Sequence, residues 1–134
     1  MEFRKEGDTF IIRLARGEKL LESLTAFLER TGIRGGKLQA IGAVDELTLG
    51  FYHVDSKSYD WKTFREDLEV ASLLGTVSET GLHAHGVFSN SKFEAFGGHV
   101  KEARVSGTLE IFLREHKKLR RKEDPVTGIK VLEI

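Results

Sequence analysis

The sequence predicts an α+β fold in which a mainly antiparallel β-sheet packs against one main α-helix. One stretch, Glu18 to Thr31, carries apolar residues at the spacing of an amphipathic helix. From Gly36 onward the chain instead shows β-rich runs and alternating apolar residues, which are typical of half-buried antiparallel strands. The length of 134 residues is typical of one domain, and no linker, repeat or low-complexity segment interrupts it. We therefore expect residues 1–134 to form a single domain.

The first predicted element is a strand over Thr9 to Ala15, a β-rich run that Gly17 ends. Gly17 is also the expected N-cap of the helix, and Gly32 is its expected C′ residue. One stripe of the helix is apolar and is predicted to face the sheet; it contains Leu20, Leu21, Leu24, Phe27 and Leu28.

The later strands are predicted over Lys37 to His53, Ser72 to Glu79, Arg104 to Leu113 and Ile129 to Ile134. The segment from Arg104 to Leu113 alternates most regularly between apolar and polar residues, which indicates a half-buried antiparallel strand. The last strand follows Asp124 to Gly128, a segment with the composition of a turn.

The charge balance excludes some classes of function and favours others. The chain has 21 basic and 21 acidic residues, so its formal net charge is zero, which argues against a dedicated nucleic-acid binder but allows a local basic patch. It has no cysteine, so a metal site would have to use histidine, aspartate or glutamate.

The same composition bears on where the protein works. The first eight residues are charged and lack the apolar core of a signal peptide, and no segment approaches 18 apolar residues. We therefore expect a cytoplasmic protein without a membrane partner. Asn90, Gln39 and Met1 are the only residues of their types, while lysine and glutamate are abundant, a bias typical of thermophile proteins.

Three of the five histidines fall within one short window, His83, His85 and His99. His83 and His85 are two residues apart, so on a strand they project from the same face. The loop composition of Ser89 to Lys92 predicts a hairpin that brings the strand of His99 beside them.

The register of this hairpin decides whether the third imidazole joins the other two. We expect His83 to face His99, His85 to face Gly97 and Phe88 to face Glu94, with Gly97 leaving room for an ion. A register shifted by one residue would move His99 to the other face, unless a bulge at Gly97 and Gly98 returned it.

Three neutral imidazoles on one face suit Zn²⁺, with Ni²⁺, Co²⁺ or Fe²⁺ as other candidates. Three protein ligands leave a position open for water or a substrate atom, whereas a fourth protein ligand would make the metal purely structural. Histidines at this spacing also occur as polar partners on a solvated face. A three-histidine site serves structure and catalysis alike, so whether the protein is an enzyme stays open.

Four segments of the sequence resemble the plant-and-prokaryote conserved (PPC) family, also called DUF296 or PD1-like DNA-binding proteins. The resemblance runs from about Gly17 to Leu113. The matching segments are Ile41-Gly42-Ala43-Val44, Leu49-Gly50-Phe51-Tyr52, Leu82-His83-Ala84-His85 and Gly97-Gly98-His99. The last two resemble the His-x-His and Gly-Gly-His segments of the prokaryotic, single-domain members.

The resemblance implies an antiparallel sheet with a helix, a homotrimer, and a metal ion, zinc first, bound by His83, His85 and His99. It also implies a DNA-binding or transcription-associated role as an alternative. Plant members grip DNA through AT-hooks, but no AT-hook core occurs here, since Arg34 to Lys37 lacks the proline and the second arginine. Ser91 to Phe96 keeps only Phe and Glu of the plant members' protein-contact stretch, which argues against the plant members' partner-binding role.

Other residues are weaker candidates. Glu79 and Glu94 could act as a general base on a metal-bound water or orient an imidazole, although surface carboxylates are more common. Tyr59, Trp61 and Phe64 could line a ligand pocket, but we favour packing between subunits. A basic run could contact nucleic-acid phosphates, although a solvated hairpin is the favoured interpretation; it contains Lys117, Lys118, Arg120, Arg121 and Lys122.

The sequence supports three functional hypotheses. The first is a small cytoplasmic trimer with a metal ion in each chain, which binds a small-molecule ligand or performs metal-assisted chemistry. The second is a DNA-associated regulatory module, for which the basic run is the local support. The third is a metal that only stabilises the fold.

Overall fold

An antiparallel sheet and a single α-helix make up the fold, as predicted from the sequence. The structure, a computed structural model, describes every residue from Met1 to Ile134. The elements in chain order are β1 (Glu2–Glu6), β2 (Thr9–Ala15), α1 (Leu20–Thr31), β3 (Gly36–His53), β4 (Ser58–Phe64), β5 (Leu68–Ser78), β6 (Gly81–Ser89), β7 (Ala95–Glu115), β8 (Arg121–Glu123) and β9 (Lys130–Leu132). The helix is neither long nor apolar enough to cross a membrane.

Two long strands organise the sheet. Its order is β1-β2-β7-β6-β5-β3-β4, and β3 and β7 also pair directly with each other, so β7, β6, β5 and β3 form a closed ring. One half of β3, Gly36 to Gly42, pairs with the end of β7, and the other half, Val44 to Gly50, pairs with its beginning at His99 to Val105. Because the ring closes, these strands present few unpaired edges to solvent.

The core lies between the inner face of the sheet and the helix. The predicted helical stripe is buried at Leu20, Leu24, Phe27 and Leu28 and packs against β6 and β7. Each such side chain stabilises the fold by about 1.5–3 kcal/mol when fully buried. Gly32 ends the helix in the left-handed conformation, with φ of 72°, as predicted.

The start of the helix differs from the prediction. The helix begins at Leu20, two residues after the predicted start, and Gly17 is not its cap. The backbone N–H groups of Leu21 and Glu22 instead donate to the carboxylate of Glu102 on β7, at 2.8 and 3.2 Å. A carboxylate at this position satisfies two free N–H groups and is favoured by the helix dipole. It lies far away in sequence, so a local pattern could not reveal it.

Several strands were missed or misjudged in length. β1 was missed because all five of its residues are exposed, so it shows no alternation. β7 spans 21 residues rather than the ten predicted over Arg104 to Leu113, and it includes the segment of His99. The predicted last strand, Ile129 to Ile134, is shortened to β9 and pairs only with β8. That residues 1–134 form one domain stays a prediction.

The β3–β4 hairpin carries an aromatic cluster over a glycine. Trp61 pairs with Gly50 across the two strands, and Tyr59 stacks on Trp61 with ring centroids 4.6 Å apart. A Cβ atom on Gly50 would lie 2.6 Å from the ring of Trp61 and 2.8 Å from that of Tyr59. The rings therefore lie directly over Gly50, whose other strand neighbour is His99.

Gly50→Ala is expected to displace both rings, because the added methyl group would overlap them. We expect a loss of stability of about 1–3 kcal/mol, as for other overpacked sites. Trp61 is the only tryptophan, so its fluorescence emission should shift with the ring. Gly107→Ala is the matched control, since a Cβ there meets only Ala43 at 3.8 Å. Unchanged stability and emission in Gly50→Ala would show that the rings do not rest on Gly50.

Candidate metal centre

The pairing of β6 with β7 brings the three histidines to one face. His85 lies opposite His99, and Phe88 lies opposite Phe96. The predicted register, with His83 opposite His99 and Phe88 opposite Glu94, is therefore wrong by two residues. A shift by an even number of residues leaves each side chain on its face, so His83, His85 and His99 still share one face.

The hairpin turn explains the observed register. Asn90 Oδ1 accepts hydrogen bonds from the backbone N–H of Lys92 at 3.0 Å and of Glu94 at 3.1 Å, which fixes a turn over residues 90–94. The closing pair is therefore Ser89 with Ala95. This register places an aromatic ring, rather than the carboxylate of Glu94, opposite the fully buried Phe88. Glu94 stays exposed in the turn, where its charge is solvated.

The room for the third imidazole does not come from the predicted glycine. Gly97 lies opposite Val87 rather than His85. The strand neighbour of His99 that lacks a side chain is Gly50, and the rings of Tyr59 and Trp61 approach His99 there, at centroid distances of 5.3 and 6.0 Å. A wall of the centre is thus built by the β3–β4 hairpin.

The imidazoles are close enough to share an ion. His83 Nε2 and His85 Nε2 are 3.2 Å apart, and ligand atoms of all three histidines lie within 4.8 Å of one another. A tetrahedral zinc ion with bonds of about 2.0–2.1 Å places its ligand nitrogens roughly 3.3 Å apart. The pair formed by His83 and His85 already has this separation.

Burial keeps the imidazoles in the form that a metal requires. Desolvation is the main cause that lowers the pKa of His83 to about 4, and the nearby positive charges of His99, His85 and Arg121 lower it further. Burial, and then the charge of His85, also lowers the pKa of His99. Both rings are therefore neutral at pH 7, with a lone pair free for an ion.

One ring nitrogen is left without a partner. His99 Nδ1 is buried and has no hydrogen bond, and it is the only buried side-chain nitrogen or oxygen in this state. Buried polar atoms normally find a partner, so such an atom requires an explanation. An ion bound by the three imidazoles would explain this nitrogen, and the donor set therefore fits a metal.

A cleft of about 560 Å³ opens beside the three histidines. Its wall includes residues from the β3–β4 hairpin and from the C-terminal hairpin of β8 and β9. Besides the histidines, its polar and charged side chains are Tyr52, Lys57, Tyr59, Thr80, Arg121 and Lys130. The sequence analysis named Tyr59 as a possible pocket residue and Arg121 as part of the basic run, but no pattern indicated Lys57 or Lys130.

Side-chain hydrogen bonds hold the C-terminal hairpin against the cleft. Arg121 donates to Thr76 Oγ1 at 2.7 Å and to the carbonyl of Lys130 at 2.8 Å. The hydroxyl of Tyr52 donates to the carbonyl of Thr127 at 2.7 Å. These contacts make the hairpin a wall of the centre rather than a free tail.

The two candidate carboxylates lie elsewhere. Glu79 forms an ion pair with Lys118 at 2.7 Å, which lowers the pKa of Glu79. Glu94 accepts a hydrogen bond from Asn90 Nδ2 at 2.8 Å. Neither carboxylate lines the cleft of the histidines.

The basic run is divided between different environments. Lys118 is paired with Glu79, and Arg121 turns into the cleft. Lys117, Arg120 and Lys122 are exposed and form no ion pair within 4.0 Å. The run therefore does not act as one continuous patch of free cations.

The aromatic candidates are also separated. Tyr59 lines the cleft, which was one of the two expected alternatives, and Trp61 packs on it. Phe64 stacks instead on Phe96, with ring centroids 4.5 Å apart.

Two solved structures are similar to this chain over nearly its whole length. A candidate DNA-binding protein from Bacteroides thetaiotaomicron is 31% identical, with a TM-score of 0.95, and the match covers 98% of this chain and 96% of that one. A metal-containing protein from Archaeoglobus fulgidus is 32% identical, with a TM-score of 0.86, and the match covers 100% and 99% of the two chains.

A curated protein with a similar sequence is much longer than this chain. The bifunctional protein GlmU of a Synechococcus strain is 28% identical over 127 residues, which make up 92% of this chain and 20% of that protein. The chain thus spans about a fifth of the length of the curated relatives it matches.

The family itself is established by the match of a family model to residues 1–117. This region contains the ring of strands, the helix and all three histidines, and the match confirms the resemblance found in the sequence. The chain therefore belongs to the Plants and Prokaryotes Conserved (PCC) domain family.

Proposed function

We propose that this protein binds a divalent metal ion, zinc before other metals, through His83, His85 and His99, and that the ion holds a small ligand. The observation that carries the proposal is the convergence of three imidazoles, with ligand atoms within 4.8 Å, on one cleft. The unpartnered nitrogen of His99 supports it. A metal-containing relative with 32% identity adds support from outside this chain.

The donor set favours some ions over others. Imidazole nitrogens suit Zn²⁺, and also Ni²⁺, Co²⁺ and Fe²⁺, whereas Mg²⁺ and Ca²⁺ prefer oxygen ligands. A bound ion of this kind supplies Lewis acidity to whatever occupies its open position. The chain's own residues bind the ion and position the ligand.

An open site fits the surroundings better than a purely structural one. His85 is exposed, and all three histidines line a cleft rather than a closed core. The neighbouring side chains include the hydroxyl of Thr80, the cleft tyrosine Tyr59 and the guanidinium of Arg121. Such groups donate hydrogen bonds and orient a ligand, so we propose binding of a small molecule as the primary role. A cytoplasmic location and a thermophilic source stay predictions.

Elemental analysis of untagged protein, purified without chelator, tests the metal. We expect about one zinc or similar ion per chain, as in other three-histidine sites. His99→Ala should lose the ion, and its melting temperature should fall because a ligand that binds only the folded state stabilises it. His116→Ala is the control, since His116 is exposed and lies outside the cleft. The proposal fails if neither parent nor variant takes up metal after zinc reconstitution, or if His99→Ala keeps it.

We further propose that the protein is a homotrimer, as its family resemblance implies. The outer face of the sheet exposes Ile41 by 58%, Leu74 by 59% and Phe112 by 46%. Gln39 pairs with both Leu74 and Phe112, so these two apolar residues lie in one row on either side of it, and Ile41 follows Gln39 by two residues on β3. Leu74 in turn lies opposite His85, so a subunit covering this row would also shelter the metal centre.

Light scattering coupled to gel filtration measures the assembly. We expect three times the single-chain mass of 15.1 kDa for the parent. Phe112→Glu should give monomers, because a charge cannot be buried unpaired at an apolar interface. Val126→Glu, at an exposed residue of the C-terminal hairpin, should keep the parent mass. A monomeric parent, or a trimeric Phe112→Glu variant, would contradict the assignment.

DNA binding is the second candidate function, supported by the DNA-binding description of the Bacteroides relative and by three exposed cations. A fluorescence anisotropy titration with duplex DNA at several salt concentrations tests it. Real phosphate contacts give a log–log salt slope of about −0.9 per contact. Changing Lys117, Arg120 and Lys122 together to glutamine should then reduce the slope, while Lys62→Gln on β4 should not. No binding at low salt removes this candidate.

A further inference from the structure

Every ordinarily charged side chain that lines the cleft is cationic. These side chains are Lys57, Arg121 and Lys130, and no aspartate or glutamate joins them. The chain as a whole has equal numbers of acidic and basic residues, so the imbalance is local to the cleft. A cleft of one charge sign concentrates ligands of the opposite sign.

Arg121 is the best placed of these cations. Its Nη2 donates to Oγ1 of Thr76, the residue directly opposite His83 in the β5–β6 ladder. Arg121 and His83 also line the same cleft. Arg121 is therefore held at the edge of the three-histidine cluster rather than extended into solvent.

The guanidinium is fixed but not neutralised. Of its five N–H donors, Nη1 donates to the backbone carbonyl of Lys130 and Nη2 to the hydroxyl of Thr76, and both acceptors are uncharged. No carboxylate lies within 4.0 Å of Arg121 in an ion pair, although ten other ion pairs form in this structure. A fixed guanidinium with free donors is suited to bind the planar oxygens of a carboxylate or the oxygens of a phosphate.

We propose that the ligand of this centre is a small oxyanion, a carboxylate or a phosphate, and that Arg121 binds it beside the metal ion. The inference deepens the proposed metal-binding function and rests on it. The anion occupies the position that three histidines leave open on the ion and accepts hydrogen bonds from Arg121. The cleft of about 560 Å³ has the size of a site for a small metabolite.

Arg121 lies in a part of the chain that is separate from the region of the histidines, so the specificity of the site can vary independently of its metal ligands. Arg121 lies on β8 and Lys130 on β9, and both are outside residues 1–117, which the family model matches. The metal ligands thus belong to the family region, while two of the three cations belong to the C-terminal hairpin. A change in this hairpin could alter the ligand without disturbing the histidines.

The experiment uses full-length protein substituted with Co²⁺, whose visible spectrum responds when an anion enters its coordination shell. Metal content is measured first. Acetate, inorganic phosphate and acetamide are then titrated separately, acetamide being the uncharged analogue of acetate. We expect saturable spectral changes with an anion and none with acetamide. Whichever of acetate and phosphate binds more tightly identifies the carboxylate or the phosphate as the ligand group.

Arg121→Gln is the test variant, and Lys122→Gln is its matched control, since it removes the same charge from the next residue, which does not line the cleft. Loss of a hydrogen bond to a charged group weakens binding by about 10- to 100-fold, which is expected for Arg121→Gln alone. Thr76→Ala removes the anchor of the guanidinium and keeps its charge. We expect Thr76→Ala to weaken anion binding less than Arg121→Gln does, because the guanidinium keeps its charge and its bond to the Lys130 carbonyl but loses one anchor.

The outcomes separate this inference from the metal proposal. If all proteins bind cobalt but Arg121→Gln keeps the anion affinity of the parent, the role of Arg121 is overturned and the metal site stands. The same holds if acetamide binds as well as acetate, or if Lys122→Gln loses as much affinity as Arg121→Gln. If the parent takes up no metal, the metal proposal fails and this inference fails with it.

Discussion

The direct pairing of β3 with β7 is the constraint on which the rest of the structure depends, because both halves of β3 pair with β7. It closes the ring of strands around the core, and it fixes His99 beside Gly50. From there the β3–β4 hairpin brings Tyr59 and Trp61 over the glycine and against the imidazole of His99. The three-histidine cluster is thus a consequence of how the ring closes, and a change in the β3–β7 register would disrupt both the ring and the cluster.

Local patterns predicted the parts of this fold that depend on local periodicity. The helical stripe of Leu20, Leu24 and Phe27 was predicted because the helix buries one face against the sheet. The shared face of His83, His85 and His99 was also predicted, although the register was not. Strand side chains alternate with a period of two, so an error of two residues in total leaves every side chain on its face. The parity of a register is therefore easier to predict than the register itself.

The remaining features depend on contacts between distant segments, which no local pattern contains. Glu102 caps the helix from β7, and the turn chemistry of Asn90 decides which residues of the hairpin oppose each other. The basic run gave a signal of composition only, since lysine and arginine can serve as solvated cations, as partners in ion pairs or as side chains that line a cleft. In the structure these roles fall to Lys122, Lys118 and Arg121, respectively, and only the fold distinguishes them.

Electrostatics connects the two proposals for the cleft. Neutral imidazoles add no charge to a divalent ion, so the ion would keep its full charge beside the guanidinium of Arg121. Like charges in a partly desolvated site repel, and the cleft holds no carboxylate that could compensate them. Metal binding by three neutral ligands in cationic surroundings is therefore most favourable when an anion binds with it. The ion and the anion would therefore stabilise each other's binding. The cations of the C-terminal hairpin would weaken binding of the metal ion alone, but would favour binding of the metal ion together with its anionic ligand.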